Sequence, residues 1–514
     1  MSSTPLPNQK QASQPSTPPF QTCPTSILQK ITSELGKQRG MAVPLIVMNL
    51  TWLAKQPITT AFLGKLGEVQ LAGGALGYTF ASVTGYSVLS GLAGAMEPIC
   101  GQAYGAKNFK LLHKTLLMTT LLLLLVTFPI SILWLNVDKI LVHFGLESEM
   151  ISMAKTYVLY LLPDLIIMSF LCPLKAYLSA QGVTIPILLS STIAVAFHVP
   201  INMLLSKSMG VAGVAMAVWL SDLVMTLVLI ASVLTMEIKG EGKWREGGWW
   251  DQGVKDWVVL LRLCGPCCLT TCLEWWCYEI LVLLAGRLPN AREAVSVLVI
   301  VLNFDYLLYS ITVSLSVCGS TRVSNELGAN QAQAASWSAS VSLGLAVISG
   351  CLGALTMVAA RSWWGPLFSP DKGVIRGVNK MMTLMALFEL INFPVTVCGG
   401  IIRGMARPWL STCASLSGFY LLALPLGIVL SFKVKLGLQG LLSGFIIGVV
   451  ACLVLLLIFV AKTDWAKQAA KAQVLTSDWP EMVRDDDEDI TSERGIVLTC
   501  SNPGYHSTER SGML

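Results

Sequence analysis

The sequence predicts an all-α polytopic membrane protein with twelve transmembrane helices arranged as two pseudo-symmetric lobes of six helices. Three observations predict this class: the composition, the spacing of long apolar segments, and a repeat that relates the two halves of the chain. The 514 residues are 54% hydrophobic and 13% charged, whereas soluble proteins carry about 25% charged residues. Because this apolar excess is too large for an ordinary soluble core, the lipid bilayer is the expected environment.

The charge and cysteine content exclude several other classes. A net charge of +5 on 514 residues gives no reason to expect a nucleic-acid partner. Residues 1–36 begin with a polar stretch rich in Pro, Ser, Thr and Gln, without the basic and then apolar pattern of a cleaved signal peptide. We therefore expect a disordered cytoplasmic N-terminal tail, with the first membrane helix directing insertion. Most of the fourteen Cys lie in apolar segments, where Cys packs as a small hydrophobe, so no disulfide framework is expected.

Twelve segments fit the length of a membrane helix, which needs about 20 mostly apolar residues. Six precede a hydrophilic cytoplasmic linker at 239–257 and six follow it. This predicts an N-lobe over 37–238, a C-lobe over 258–462, and a disordered acidic tail over 463–514 that includes DDDEDI. The spans are placed near 41–62, 72–99, 112–136, 153–173, 184–204, 211–236, 258–285, 293–318, 335–360, 377–400, 409–431 and 438–461.

The two halves repeat each other at equivalent loops. The repeated pairs are GQAYGAK (101–107) with SNELGAN (324–330), QGVTIP (181–186) with RGMARP (403–408), and KSMGVAG (207–213) with KLGLQG (435–440). Because each half has an even number of spans, both halves enter from the same side and the repeat is parallel, with its axis along the membrane normal. Two such lobes enclose a central cleft, which suits alternating access.

The loop charges predict the orientation. Loops on the side of the N-terminus contain many Lys and Arg, although the opposite loops also contain Arg361, Lys372 and Arg376. The positive-inside bias favours a cytoplasmic N-terminus, and an even number of spans places the C-terminus on the same side.

The motif Cys264-Gly265-Pro266-Cys267 has the spacing of thioredoxin-like oxidoreductases. Such a motif requires an exposed thiolate of low pKa in a soluble fold, but here it lies in the seventh apolar segment. We interpret it as small, packable residues, with Pro266 in the first turn of a helix. The four His are scattered and none lies in this segment, so no metal site is expected there.

Carboxylates inside the apolar segments are the stronger functional signal. Glu274, Glu279, Asp305 and Glu389 lie within the seventh, eighth and tenth spans, where a charge costs at least about 2.5 kcal/mol. No basic residue shares the middle of these spans, so simple ion pairs do not neutralise the acids. They are candidates for proton coupling; the alternative is that they cap polar networks between packed helices. Five residues along a helix is about 140° of rotation, so Glu274 and Glu279 face different directions.

Other polar and aromatic residues are candidates for lining the cleft. Lys55 lies inside the first span: it either extends toward the membrane surface, or faces the cleft and pairs with an anionic substrate or with Asp222 or Asp164. His198, beside Pro200, is expected to be a hydrogen-bonded core residue. The predicted cleft residues are Asn303, Tyr306, Tyr309, Asn392, Lys55, Gln56 and Tyr278.

Four segments resemble the multidrug and toxic compound extrusion (MATE) family, plant branch. They are EPICGQAYGAKNFKLLHKT (97–115), CLEWWCYEILVLLAGRLPN (272–290), STRVSNELGAN (320–330) and CGGIIRGMARP (398–408). The similarity covers about residues 30–470. It implies two six-helix lobes around a V-shaped cleft and the export of organic compounds in exchange for protons or sodium, with protons the usual coupling ion of plant members.

The resemblance also implies roles for individual residues. Glu274 matches the glutamate of helix seven that is tied to proton binding, and Glu279 a second acid there. Pro44 matches the proline of helix one that is linked to bending, and Pro57 is a second proline able to bend that helix. The sequence departs from the family where Asn392 occupies the usual acidic position of helix ten and Glu389 lies one turn earlier.

We therefore expect a proton-coupled antiporter, not an enzyme, that works without a cofactor or metal and is driven by the proton gradient. Its expected partners are protons, the lipid bilayer and a small organic substrate: a secondary metabolite, a xenobiotic or an organic-anion hormone. A functional monomer in the plasma membrane is favoured, with the vacuole or another endomembrane possible. The alternatives are a flippase for lipid-linked cargo and a transporter-fold sensor that uses the acidic tail for docking.

Overall fold

A computed structural model describes residues 27–143, 147–239, 247–250 and 252–477, and these residues are almost entirely helical. Most of the predicted N-terminal tail, part of the linker and the acidic DDDEDI segment lie outside the described residues. The helices are α1 (Ile27–Leu66), α2 (Glu68–Ala81), α3 (Ser87–Ala93), α4 (Met96–Gly105), α5 (Phe109–Leu135), α6 (Val137–Val142), α7 (Ser148–Ala180), α8 (Ile185–Met209), α9 (Val211–Lys239), α10 (Val254–Ala285), α11 (Ala291–Gly328), α12 (Ala332–Trp364), α13 (Lys372–Gly404), α14 (Pro408–Ser415), α15 (Leu424–Ile428), α16 (Leu438–Ala461) and α17 (Trp465–Ser477).

Within the described ranges, ten helical segments are long and apolar enough to cross a membrane. They match the predicted spans from the third to the twelfth. The first predicted span is α1, where Asn49, Lys55 and Gln56 lower the mean hydropathy. The second is divided into α2, α3 and α4, and a π-helical stretch at Ser82–Tyr86 separates the first two. The ten apolar spans agree with a multi-pass membrane protein.

Three predicted boundaries differ from the structure. The sequence predicts an N-terminal tail as far as residue 36, whereas α1 already begins at Ile27. It predicts a disordered C-terminal tail from residue 463, whereas α17 is helical and buries apolar side chains against other helices. Pro266 lies in the interior of α10 rather than in its first turn, because α10 starts earlier, where the backbone N–H of Gly253 donates to Asp256 Oδ2 at 2.7 Å.

The buried apolar residues divide between the two halves of the chain. We call α1–α9 the N-lobe and α10–α17 the C-lobe. Met41 and Ala42 of α1 belong to the C-lobe core, while Leu260 and Cys264 of α10 belong to an N-lobe core. The halves therefore interlock on one side of the molecule, which contains the starts of α1, α5 and α10 and the ends of α4 and α11. This side is called the N-terminal face below.

The sequence repeat corresponds to a reciprocal contact between α4 and α11 at the N-terminal face. A Cβ atom on Gly105 would collide with the backbone of Asn325, and one on Gly328 with the backbone of Gln102. Gly105 and Gln102 are related to Gly328 and Asn325 by the same sequence offset of 223 residues. Glycine is required at both positions because the two helices cross with their backbones in contact.

Candidate functional site in the cleft between the lobes

Two ion pairs join the lobes at the N-terminal face. Arg322 of α11 holds Glu34 of α1 with Nε–Oε1 and Nη2–Oε2 distances of 2.9 Å, and Ser338 Oγ donates to the same carboxylate at 2.9 Å. Burial alone would raise the pKa of Glu34, but the hydrogen bonds and charge of Arg322 bring it below its usual range. Arg322 also contacts Glu326 of its own helix.

The second cross-lobe ion pair lies deeper, between α4 and the end of α13. Arg403 Nε lies 3.1 Å from Glu97 Oε2, and Arg403 Nη2 donates to Ser316 Oγ at 3.3 Å. Gln102 Nε2 donates across the lobes to the carbonyl oxygen of Gly404 at 3.1 Å. These contacts seal the N-terminal face with paired charges and backbone hydrogen bonds.

The polar contacts between the lobes end partway along the helices. Midway along the helices, Asn49 Nδ2 donates to Ser314 Oγ at 2.9 Å and Trp276 Nε1 to the carbonyl oxygen of Val83 at 3.1 Å. Farther from the N-terminal face than Trp276, no hydrogen bond or ion pair joins the lobes among the described residues. Tyr306 in that region is 40% exposed and Trp276 is 38% exposed. The polar contacts between the lobes therefore extend from the N-terminal face to the middle of the helices.

Asp305 of α11 and Glu389 of α13 form a buried pair of carboxyl groups in the C-lobe. Asp305 is 2% exposed and Glu389 is 0% exposed, and their side chains lie within hydrogen-bonding reach of each other. Asn392 lies against Glu389, yet Asp305 Oδ1, both Glu389 oxygens and Asn392 Nδ2 have no well-aligned partner in the described chain. No described basic side chain acts on the pair. Two carboxyl groups can share a hydrogen bond only when one of them is protonated.

Glu274 lies on α10 near the same lobe's helices. Its Oε1 accepts a long hydrogen bond, 3.5 Å, from Ser415 Oγ at the end of α14. Arg403 is within electrostatic range, but its guanidinium already contacts Glu97 and Ser316. The carboxyl of Glu274 therefore has a weak hydrogen-bond partner and no ion pair within the described chain.

Glu279 has a different environment, one and a half turns farther along α10. It is half-buried and lies within electrostatic range of Tyr306 on α11, and no hydrogen bond reaches it from the described residues. The two glutamates thus have different neighbours: Ser415 of α14 for Glu274, and Tyr306 of α11 for Glu279.

Lys55 is buried in the N-lobe and forms an ion pair. Its Nζ lies 2.7 Å from Asp222 Oδ2 of α9 and donates to the carbonyl oxygen of Val218 at 3.1 Å. The side chain is 9% exposed, so it does not extend toward the membrane surface. Of the two predicted environments, the structure has the buried pairing with Asp222.

A hydrogen-bonded network surrounds this ion pair. Asp164 Oδ2 accepts from Tyr86 Oη at 2.6 Å, while its Oδ1 has no partner among the described residues. His198 is fully buried and its ring nitrogens lie 3.0 Å from Thr59 Oγ1 and 2.7 Å from Ser221 Oγ. His198 is therefore a hydrogen-bonded core residue, as its sequence context predicts.

The remaining predicted cleft residues are not all in one place. Tyr278 packs edge-on against Phe445 with ring centroids 5.4 Å apart and is within electrostatic range of the Asp305–Glu389 pair. Tyr309 lies beside Trp275 and in range of Glu274. Two others are exposed away from the acids: Gln56, and Asn303, which donates to Val299 of its own helix.

The prolines and cysteines have structural environments that bear on their predicted roles. Helix α1 runs without interruption through Pro44 and Pro57, and the predicted bending role of these prolines stays a prediction. Cys264 and Cys267 are buried, and the Cys264 thiol donates to the carbonyl oxygen of Leu92 at 3.5 Å. The cysteine motif thus packs α10 against α3, in agreement with its interpretation as packing residues.

Sequence reasoning did not single out Glu97, Arg403 or Ser415 as parts of the site. Glu97 and Arg403 lie within two of the four segments that carry the family resemblance, so a search for charges of opposite sign in those segments would have found the pair. Nothing in the sequence around Ser415 distinguishes it from other serines of apolar helices.

The MatE family model matches residues 44–204 and 266–429, which include Glu274, Asp305 and Glu389 of the C-lobe but not Asp222 of the N-lobe. The chain belongs to the MATE family. It is 57% identical to Protein DETOXIFICATION 56 of Arabidopsis thaliana, over 88% of this chain and 93% of that protein. It is 40% identical to Protein DETOXIFICATION 48 of the same plant, over 87% of this chain and 83% of that protein.

Solved structures agree with this assignment. The crystal structure of the eukaryotic MATE transporter AtDTX14 matches with a TM-score of 0.81 and 30% identity, over 87% of this chain and all of that one. A mutant of the Vibrio cholerae MATE transporter VcmN matches with a TM-score of 0.76 at 15% identity, over 85% of this chain and 99% of that one, which shows the shared fold alone. The MATE resemblance predicted from the sequence is confirmed: the chain is a multi-pass membrane protein of a family of transporters for small organic substrates.

Proposed function

We propose that this MATE transporter is a proton-coupled antiporter that exports small organic compounds by alternating access. The proton gradient drives it, and no cofactor takes part. The observation that carries the proposal is the buried Asp305–Glu389 pair, whose carboxyls lie within hydrogen-bonding reach of each other without a basic partner among the described residues. A buried acidic pair of this kind takes up and releases a proton more easily than it carries two charges.

Coupling arises when the binding of a proton to the C-lobe and the binding of cargo between the lobes disfavour each other. The transporter binds cargo between the lobes when the N-terminal face is open, with Glu274 ionised. In the second state, in which the N-terminal face is closed, the cleft opens at the other face, where a proton from outside reaches Glu274 and the Asp305–Glu389 pair. Protonation disfavours bound cargo and releases it, so coupling is a linkage free energy between two ligands.

Return to the first state requires the N-terminal face to open. The pairs Glu34–Arg322 and Glu97–Arg403 must separate, and both are made between lobes, so they favour the state in which they are intact. Proton binding in the C-lobe must therefore supply enough free energy to compensate for their loss. Arg403 connects the two events, since it lies in range of Glu274 while contacting Glu97.

The proposed cargo is an organic molecule with a flat or amphipathic surface. Tyr306 and Trp276 expose aromatic surface in the half of the cleft farther from the N-terminal face. Lys55 does not support an anionic cargo, because Asp222 and the Val218 carbonyl already occupy its ammonium group. Neutral and cationic secondary metabolites or xenobiotics therefore fit the acidic C-lobe better than an organic-anion hormone.

We place the transporter in the plasma membrane as a monomer, with both termini and the N-terminal face cytoplasmic. The basic loops on the N-terminal side support this orientation. Both lobes come from one chain, so the cleft is complete without a second copy.

An export assay tests the function. Comparing the metabolites exported by cells with and without the protein, under an imposed proton gradient, identifies a cargo. In proteoliposomes, Glu274→Gln and Glu389→Gln are then expected to reduce export driven by the pH gradient about tenfold or more. The matched control is Glu68→Gln, which makes the same change at an exposed site at the start of α2, and it should export at the wild-type rate. Undiminished gradient-driven export by both cleft variants would contradict proton coupling through the C-lobe.

A further inference from the structure

We propose that α17 is a strap across the two lobes that holds the N-terminal face closed and must be released from the N-lobe before that face opens. The inference rests on the proposed alternating access. The three-residue connection 462–464 ties α17 to the end of α16, so α17 belongs covalently to the C-lobe. Its contacts, however, extend to both lobes.

The apolar residues of α17 are shared between the cores of the two lobes. Ala469 and Ala472, each 2% exposed, belong to the C-lobe core. Leu475, one turn later and 1% exposed, belongs instead to an N-lobe core that includes Leu111 and Leu112 of α5. One short helix therefore packs against both lobes: against α11 and α12 of the C-lobe and against α4 of the N-lobe, with Leu475 in the cluster that also contains α5 residues.

Hydrogen bonds repeat this division. Gln473 Nε2 donates to the carbonyl oxygens of Leu327 and Gly328 in the last turn of α11, at 3.3 and 2.8 Å. On the N-lobe side, Asn108 Nδ2 donates to the carbonyl oxygen of Thr476 at 2.7 Å, while Asn108 Oδ1 caps the start of α5. On the C-lobe side, a side chain of α17 thus bonds to the backbone at the end of α11. On the N-lobe side, the side chain of Asn108 bonds to the backbone at the end of α17.

The strap lies beside the reciprocal glycine contact of the lobes. The carbonyl oxygen of Gly328 accepts the hydrogen bond from Gln473. The Cα of the same residue packs against the backbone of Gln102 in α4. Moving α4 away from α11 must therefore pull α5 away from α17. Because α17 stays covalently with the C-lobe, the contacts that break are those of α17 with α4, of Thr476 with Asn108, and of Leu475 with its N-lobe neighbours.

Distances between the lobes test the strap without a transport assay. Spin labels are attached through genetically encoded ketone side chains at positions 185 and 409, so the native cysteines stay unlabelled. Both sites are exposed, at 61% and 42%, and they lie at the starts of α8 and α14, one in each lobe. Dipolar spectroscopy then reports the fraction of molecules in the shorter, closed distance.

Two truncations form a matched pair. Ending the chain after Ser477 keeps α17 and should leave the closed fraction unchanged. Ending it after Thr463 removes α17 and should lower the ratio of closed to open molecules at least about fivefold, the effect of losing one hydrogen bond of about 1 kcal/mol. Leu475→Ser should act in the same direction in the full chain, and Ala470→Gln, at an exposed site of the same helix, should have no effect.

The result that overturns the strap is a closed fraction equal to wild type in Leu475→Ser and in the truncation after Thr463. If that truncation does not fold, Leu475→Ser against Ala470→Gln decides the question. A failure of the proposed alternating access gives a different result: a single distance between the labels would persist in every variant and at every pH. If only the proton coupling is wrong, both distances would still be populated.

Discussion

The two lobes share one repeat but treat their buried charges in opposite ways. In the N-lobe, Lys55 and Asp222 form an ion pair at 2.7 Å that a backbone carbonyl completes, and both ring nitrogens of His198 are hydrogen-bonded. In the C-lobe, Asp305 and Glu389 face each other without any described basic partner. The N-lobe therefore holds Lys55 and Asp222 as an ion pair, with Asp164 nearby hydrogen-bonded to Tyr86, whereas the C-lobe acids, to which we assign the proposed proton exchange, have no ion pair in the described chain.

The largest expected effect comes from breaking the N-lobe ion pair. Lys55→Met leaves Asp222 buried without a cation, which should lower the free energy of unfolding by about 3–5 kcal/mol. Thermal unfolding of the purified protein measures this. The double variant Lys55→Met/Asp222→Leu should recover most of the stability, because it removes both charges. Equal stability of the single and double variants would show that the ion pair is not the structural element assigned here.

The cross-lobe pair at the N-terminal face should have an intermediate, pH-dependent effect. Glu34→Gln should cost about 1–2 kcal/mol at neutral pH, less than a fully buried pair because solvent reaches that face. The pKa of Glu34 is held below its usual range by Arg322, so its stabilisation is present above the unfolded pKa of glutamate and is lost as the pH falls through the lower folded value. Unfolding curves of wild type and Glu34→Gln should therefore converge in acid. Curves that stay parallel down to strongly acidic pH would rule out the Glu34 charge as the source of the difference.

The C-lobe pair should tolerate neutralisation with little loss of stability. Glu389→Gln leaves no buried cation unpaired, so its unfolding free energy should stay within about 1 kcal/mol of wild type, although its gradient-driven export is expected to fall. Asp222→Asn makes the same chemical change in the N-lobe and leaves Lys55 unpaired, so it serves as the comparison. A strongly destabilised Glu389→Gln beside a stable Asp222→Asn would reverse the roles of the two lobes.

The smallest effect is expected at an exposed ion pair of the N-lobe. Lys155 Nζ lies 2.7 Å from Asp138 Oδ2, with side chains 39% and 32% exposed. The hydrogen bond from Lys155 lowers the pKa of Asp138, but solvent screens such pairs. Asp138→Asn should unfold at a temperature indistinguishable from that of wild type. A clear decrease would mean that the exposed pair stabilises this lobe about as much as the buried Lys55–Asp222 pair does.

Much of the fold follows from the sequence because membrane helices are recognisable from local composition. The apolar spans need only composition and length, and the repeat that relates Gly105 to Gly328 is recognisable from its constant offset alone. The buried acids are also recognisable, since carboxylates in apolar segments are costly wherever they lie.

Contacts between distant helices are harder to predict. Helix rotations decide which acid pairs with Lys55. They also decide that Asp305 lies beside Glu389 and not beside Glu274, and the periodicity of a single sequence does not determine these rotations. The burial of α17 escapes prediction for a related reason: WAKQAAKAQVLTS has too few large apolar residues to indicate a buried helix. Its small alanines are buried in the C-lobe core, and Leu475 is buried in a cluster that includes N-lobe residues.

The central claim is that the C-lobe carboxyls change protonation, and infrared titration tests it most directly. The C=O stretching band of protonated carboxyl groups is followed as the pH is changed, in wild type, in Glu274→Gln/Glu389→Gln and in the exposed control Glu68→Gln. Above the pH range in which exposed carboxyls protonate, the account predicts a titrating component of this band in wild type and the control that the double variant lacks. A titrating component in this range that survives unchanged in the double variant would contradict it.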